Sequence, residues 1–156
     1  MQQLFHPDFY RLEGERVSLR LIGTFAGGCG ALPFYWWEVL SKPDDIPVGK
    51  ISLRIGRNYH SYYNGNIGYE VDEPFRGHHY ALAACQLLPQ VARYHGMEQL
   101  YITCDFDNVP SCKTIEALGA TLLEEVRPPR DYIYYHDDMS LHRIYLWTPG
   151  EAPAKP

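Results

Sequence analysis

Residues 66–119 constrain this chain more than any other part of it. Ile67, Tyr69 and Val71 alternate with Gly68 and Glu70, the pattern of a strand with one buried face. The acidic, proline-bearing run Glu73-Pro74-Phe75-Arg76-Gly77 follows at once, and a helical pattern begins at residue 81. Strand, turn and helix therefore succeed one another with little spare chain. The first turn of a helix holds four unpaired amide donors and the positive end of the macrodipole, so an entry that lets the backbone come close makes an anion site. Gly77 supplies that closeness. Residues 100–104 read as another strand, Asp107 or Asn108 caps a second helix, Pro110 suits its first turn and Gly119 stops it.

Arg76-x-x-x-x-Ala81 after a strand, with Asn108-x-x-Ser111 opening a second helix that ends in Leu118-Gly119, resembles the GNAT acyltransferase superfamily. The resemblance spans residues 47–126. It implies an α/β (α+β) fold with a mixed, mostly antiparallel central sheet flanked by helices. It also implies acetyl-CoA as co-substrate, its pyrophosphate cradled by Arg76, Gly77, His78, His79, Tyr80 and Ala81. By the same resemblance Val71 holds the acyl or pantetheine portion through main-chain hydrogen bonds, Asn108 contacts the pantetheine arm and Ser111 lies near the thioester sulfur. Three departures stand out. His79 replaces the usual glycine of the loop, and histidine tolerates unusual backbone angles less well. Ile115 occupies the position where many members carry an acidic tyrosine. Only a short Gly-rich connection, Gly27-Gly28-Cys29-Gly30 at its centre, stands where two helices usually wall the acceptor. The Asn-x-x-Ser start without the tyrosine is similar to the branch of ribosomal-protein N-terminal acetyltransferases.

An acyl transfer to an amine needs a phosphate grip, a donor for the developing oxyanion, a base for the amine and an acid for the thiolate. Glu70 is the first candidate base, with Asp72 on the same strand face. The plainer alternative is a carboxylate on the solvated side of the sheet. Tyr35, His60 and Tyr134 are weaker candidates. Ser111 is the candidate acid, although helix capping explains Asn108 and Ser111 equally well, and a thiolate whose ordinary pKa is about 8.5 leaves readily unaided. Lys113, Arg130 and Arg143 are candidate phosphate contacts or, more simply, solvated charges.

With 156 residues the chain reads as one domain, residues 1–156, able to bury a core without metal or disulfide support. Cys29, Cys85, Cys104 and Cys112 have no C-x-x-C spacing, and His78-His79 would face different ways, so reduced thiols and no metal are expected. A net charge of -5 argues against a nucleic-acid surface. No apolar run reaches membrane-spanning length and the first residues have no signal-peptide pattern, which makes a cytoplasmic protein the expectation. The resemblance implies a small-molecule or peptide amine as acceptor, with a homodimer as one way to complete the acceptor wall. Two other classes remain open: a non-catalytic CoA- or nucleotide-binding module, and an interaction module using Trp36, Trp37 and the aromatic run 59–63.

Elsewhere, residues 17–21 read as the first strand, residues 33–40 and 48–55 as a hairpin, residues 57–65 as an overhanging loop, and residues 81–95 as one helix kinked at Pro89. Residues 121–123 and 141–147 complete the sheet. Residues 1–14 show no period.

Overall fold

The computed structural model describes residues 4–150. Five strands, β1 (Arg11–Glu13), β2 (Val17–Phe25), β3 (Phe34–Ser41), β4 (Ile46–Arg54) and β5 (Ile67–Val71), pair antiparallel in sequence order. A second antiparallel sheet holds β6 (Leu100–Asp105), β7 (Thr121–Val126) and β8 (His142–Trp147), in the order β6-β8-β7. The expected mostly antiparallel α/β architecture is present, with its sheet divided in two. Four short helices complete it: α1 (Tyr59–Asn64), α2 (Tyr80–Cys85), α3 (Pro89–Tyr94) and α4 (Val109–Ala117).

Alternation fixes the two faces of the larger sheet. Leu19, Tyr35, Trp37, Ile51, Leu53 and Ile67 are buried together with Ala84, Leu88 and Val91 from α2, α3 and the turn between them, while Arg20, Trp36, Lys50, Ser52 and Glu70 lie on the other face. Trp37 is central: its indole stacks on Tyr35 at 5.2 Å and its N–H donates to the Phe9 carbonyl at 2.7 Å. That burial removes Trp37 from any interaction surface.

Several local expectations are corrected. The 57–65 segment is not a loop but holds α1, because the Asn58 side chain accepts the Ser61 N–H while the Ser61 hydroxyl accepts the Asn58 N–H, a reciprocal cap. The expected kinked helix is two helices, since Pro89 sits in the first turn of α3, where its missing N–H costs nothing, and the chain breaks before it. The aperiodic N-terminus contributes the short edge strand β1. Between β2 and β3 there is no helix; residues 26–33 turn back through an isolated Gly28–Ala31 bridge.

The two sheets share one core, and hydrogen bonds join them at Asn66. The Asn66 N–H donates to the Tyr101 carbonyl at 2.6 Å, and its side-chain oxygen accepts the Tyr101 N–H at 2.9 Å. Its Nδ2 donates to the carbonyls of Arg54 and Gly56 at 3.1 and 2.9 Å. Beyond Asn66, β5 pairs with β4 and β6 with β8, so a gap opens between β5 and β6. Asn66→Ala leaves three part-buried main-chain groups without their partner and is expected to cost about 3 kcal/mol, lowering Tm by roughly 6–12 °C. A thermal melt checks this; a shift under about 2 °C would mean that the joint does not depend on this side chain.

Candidate active site

The gap between β5 and β6 exposes a row of main-chain groups. Asp72 N–H donates to the Val48 carbonyl at 2.8 Å. Because hydrogen-bonded and free pairs alternate along an antiparallel ladder, the main-chain groups of Tyr69 and Val71 point away from β4, into the gap. Arg76 Nε donates to the Val71 carbonyl at 3.1 Å, tying the following loop to this edge. The Val71 N–H is left as an outward-facing donor.

That loop turns sharply between β5 and α2. A 3-10 turn over Glu73–Phe75 is followed by Gly77 at φ 90° and His79 at φ 62°. Histidine is one of the few residues besides glycine that populate this left-handed region. The loop thus keeps its sharp entry to α2 without the second glycine, with His79 as the N-cap residue. Gly77, His78 and His79 are exposed, and Tyr80 and Ala81 open α2 half-buried. Arg16 braces the loop: its guanidinium donates to the His78 carbonyl at 2.8 Å and lies 5.9 Å from the Tyr80 ring centre. Arg16 is far away in sequence and belongs to no motif, so no sequence signal marked it.

Across the gap, α4 presents its first turn. The Asn108 side chain accepts the Ser111 N–H at 3.3 Å and caps the helix. The Ser111 hydroxyl lies 2.8 Å from the Tyr69 hydroxyl, and Tyr69 also reaches the Ser111 carbonyl at 3.3 Å. Burial pushes the Tyr69 phenol up from its ordinary pKa, so it holds its proton at neutral pH. Alternation had marked Tyr69 only as an inward strand residue; its pairing with a side chain 42 residues away was not readable. Ile115, on the inner face of α4, is fully buried in the core.

Glu70 is exposed on the opposite face of β5 from Tyr69. It borders a depression of about 290 Å³ together with Trp36, Lys50, Ser52 and Gly68. Lys50, its cross-strand neighbour, lies 5.4 Å from the Trp36 ring centre. The weaker base candidates separate. Tyr35 is fully buried, its hydroxyl accepting the His6 N–H at 2.9 Å and meeting His95 Nε2 at 2.8 Å, so it is a core residue. His60 and Tyr134 line a second cavity of about 210 Å³, where His60 Nδ1 accepts the Ile133 N–H at 3.1 Å. Of the phosphate candidates, Arg143 is engaged with Glu125 at 3.0 Å, and Lys113 and Arg130 are exposed. Among the described residues no group of three or more His, Cys, Asp or Glu is placed to hold a metal ion, and no helix is long and apolar enough to cross a membrane.

Comparison with known proteins gives this geometry a family. Similar solved structures include a protein assigned as a ribosomal-protein-serine acetyltransferase from Vibrio cholerae, 19% identical, with TM-score 0.65, covering 93% of this chain and 100% of that one. RimL, a ribosomal L7/L12 alpha-N-protein acetyltransferase solved with coenzyme A, is 20% identical with TM-score 0.57 over 74% of this chain and 62% of its own. The microcin C7 self-immunity acetyltransferase MccE, solved with acetyl-CoA and AMP, is 22% identical with TM-score 0.56 over 74% and 61%. At these identities the likeness is one of fold. No curated protein matches. The model of the acetyltransferase (GNAT) domain matches residues 15–121, which include the free edge of β5, the turn into α2 and the start of α4, and the chain belongs to the GNAT acetyltransferase family.

Proposed function

We propose that this protein transfers an acetyl group from acetyl-CoA to a primary amine, with the amine of a peptide or small molecule as acceptor. The observation that carries this is the unpaired edge of β5 in the gap: a main-chain donor at Val71 beside an anion-ready turn and a hydroxyl pair at Ser111 and Tyr69. Acetyl-CoA supplies an activated acyl carbon and a thiolate leaving group. The residues present fit it, since an extended pantetheine arm carries amide groups that pair with a strand edge as another strand would.

In this mechanism the amides of residues 77–81 and the first turn of α2 receive the pyrophosphate. The Val71 N–H faces the thioester carbonyl and stabilises the oxyanion that develops on it; one such donor is worth about 3 kcal/mol in a dry site. Glu70 takes a proton from the acceptor's ammonium on the open face of the sheet, and the neutral amine so formed attacks the thioester carbon. Ser111 returns a proton to the thiolate, with the protonated Tyr69 phenol behind it to replace the one it gives. Acid and base then act from opposite faces of one strand, the base before the amine adds and the acid as the tetrahedral intermediate expels the thiolate. The likeness in fold to RimL and the Vibrio cholerae protein favours a protein or peptide amino terminus over a free small amine.

Gly77→Pro tests the grip. The substitution forces φ to about -65° where the chain needs 90°, so CoA binding by calorimetry should be lost while the melting temperature changes little; unaltered affinity would remove the loop from the site. Glu70→Gln is expected to lower kcat about a hundredfold or more with CoA affinity unchanged, and a near wild-type rate would exclude Glu70 as the base. Ser111→Ala should reduce kcat by less than Glu70→Gln and leave CoA affinity alone, and Tyr69→Phe should share the defect. An unchanged rate in both would leave Ser111 only its place in the helix.

A further inference from the structure

We infer that the acceptor carries a carboxylate about one residue from its reactive amine, and that Arg54 receives it in the cavity beside Glu70. This rests on the assignment of the Glu70 face as the acceptor side. Arg54 extends from the last position of β4 on the same face as Lys50 and Ser52. Its guanidinium makes one hydrogen bond, from Nη1 to the Gly65 carbonyl at 3.3 Å, and joins no ion pair among the described residues. By contrast Arg11, Arg20 and Arg143 each pair with a carboxylate. Burial lowers the Arg54 pKa, and the ionisable groups that face it are the phenols of Tyr132 and Tyr134. A guanidinium taken out of water without a counter-ion is costly, and most of its five donors remain unspent.

The space around it is shaped for a ligand. Arg54 lines the cavity of about 210 Å³ whose apolar walls include Phe25, Phe34, Ile133 and Tyr134. Gly68 lines the Glu70 depression, and a Cβ there would lie 3.2 Å from Ser52 Oγ and 3.7 and 3.9 Å from the two terminal nitrogens of Arg54, so glycine leaves that side of the Arg54 fork uncovered. Glu70 is two positions along the strand from Gly68, about 7 Å. Two peptide residues span that length. An amine held at Glu70 thus brings the free carboxylate of a dipeptide, or an acidic side chain at the second position of a longer peptide, to the Arg54 fork, which binds it through two parallel N–H bonds.

The test is calorimetric binding to the full chain, with and without CoA, of four probes. These are Ala-Ala as free acid and as amide, and the amidated tetrapeptides Ala-Glu-Ala-Ala and Ala-Gln-Ala-Ala. In at least one pair the carboxylate member should bind about tenfold or more tightly. Which pair it is distinguishes a terminal carboxylate from an acidic side chain. That preference should vanish in Arg54→Gln and persist in part in Arg54→Lys, both checked for a wild-type melting curve. No preference in either pair, or a preference that survives Arg54→Gln, overturns the inference. CoA release measured with the same peptides separates it from the activity: preference without release removes the acetyl transfer and keeps the Arg54 site, whereas release indifferent to Arg54 does the reverse.

Discussion

The structure depends on the joint at Asn66. A strand pair that stayed hydrogen-bonded along its length would leave no edge for a ligand, and two sheets without a joint would have no fixed separation. Asn66 resolves this with one fully buried amide that satisfies the Tyr101 N–H and the carbonyls of Arg54 and Gly56, while its own N–H bonds back to Tyr101. An unpartnered polar group at such a position would cost more than the bonds return. Every partner is present, so the joint is stiff and the gap it opens is set by geometry rather than by side chains that fill it.

From that joint follows a division of labour across β5. Tyr69 turns inward to Ser111 and Glu70 turns outward to Lys50 and Trp36, consecutive residues on opposite faces. A donor lying along the strand edge is thereby reachable from both sides, and in the proposed mechanism the two ends of the acyl transfer need not compete for one cavity. The same edge anchors the turn into α2 through the bond from Arg76 to the Val71 carbonyl, and Arg16 holds the turn's far side at His78. The turn into α2, the outward Val71 N–H and the Ser111–Tyr69 pair are all tied to one five-residue strand.

What the sequence disclosed is what local rules govern. The alternation of Ile67, Tyr69 and Val71, the cap at Asn108 and the stop at Gly119 each depend on a few neighbouring residues, and each appears where expected. The errors share a cause in competing local signals. Residues 57–65 read as an overhanging loop, and they hold α1 instead, because the cap from Asn58 to Ser61 starts a helix. Pro89 looked like a kink and is a helix start. His79 was expected to resist the loop's backbone, yet it adopts the left-handed angles the turn requires. The remaining features were not legible at all. The Tyr69–Ser111 contact, the Arg16 brace and the solitary state of Arg54 arise between residues far apart in the chain, where charge and alternation alone say nothing about partners.

The missing helices between β2 and β3 bear on all of this. Where family resemblance places a helical wall over the acceptor, this chain has a tight turn at residues 28–31, and the space it vacates is bordered instead by α1 and by Ile133 and Tyr134 of the connection between β7 and β8. These are held by side chains that close the wall onto itself: Asn58 Nδ2 to the Gly30 carbonyl at 2.8 Å, Tyr59 to Asp131 at 2.7 Å, and His60 to the Ile133 N–H. A wall built this way is polar at its seams and aromatic on its inner surface. It leaves Arg54 facing inward with no carboxylate of the wall to meet it. On the proposed reading, a wall of this composition favours an acceptor that brings its own negative charge and an apolar body, and disfavours one that is cationic beyond its reacting amine.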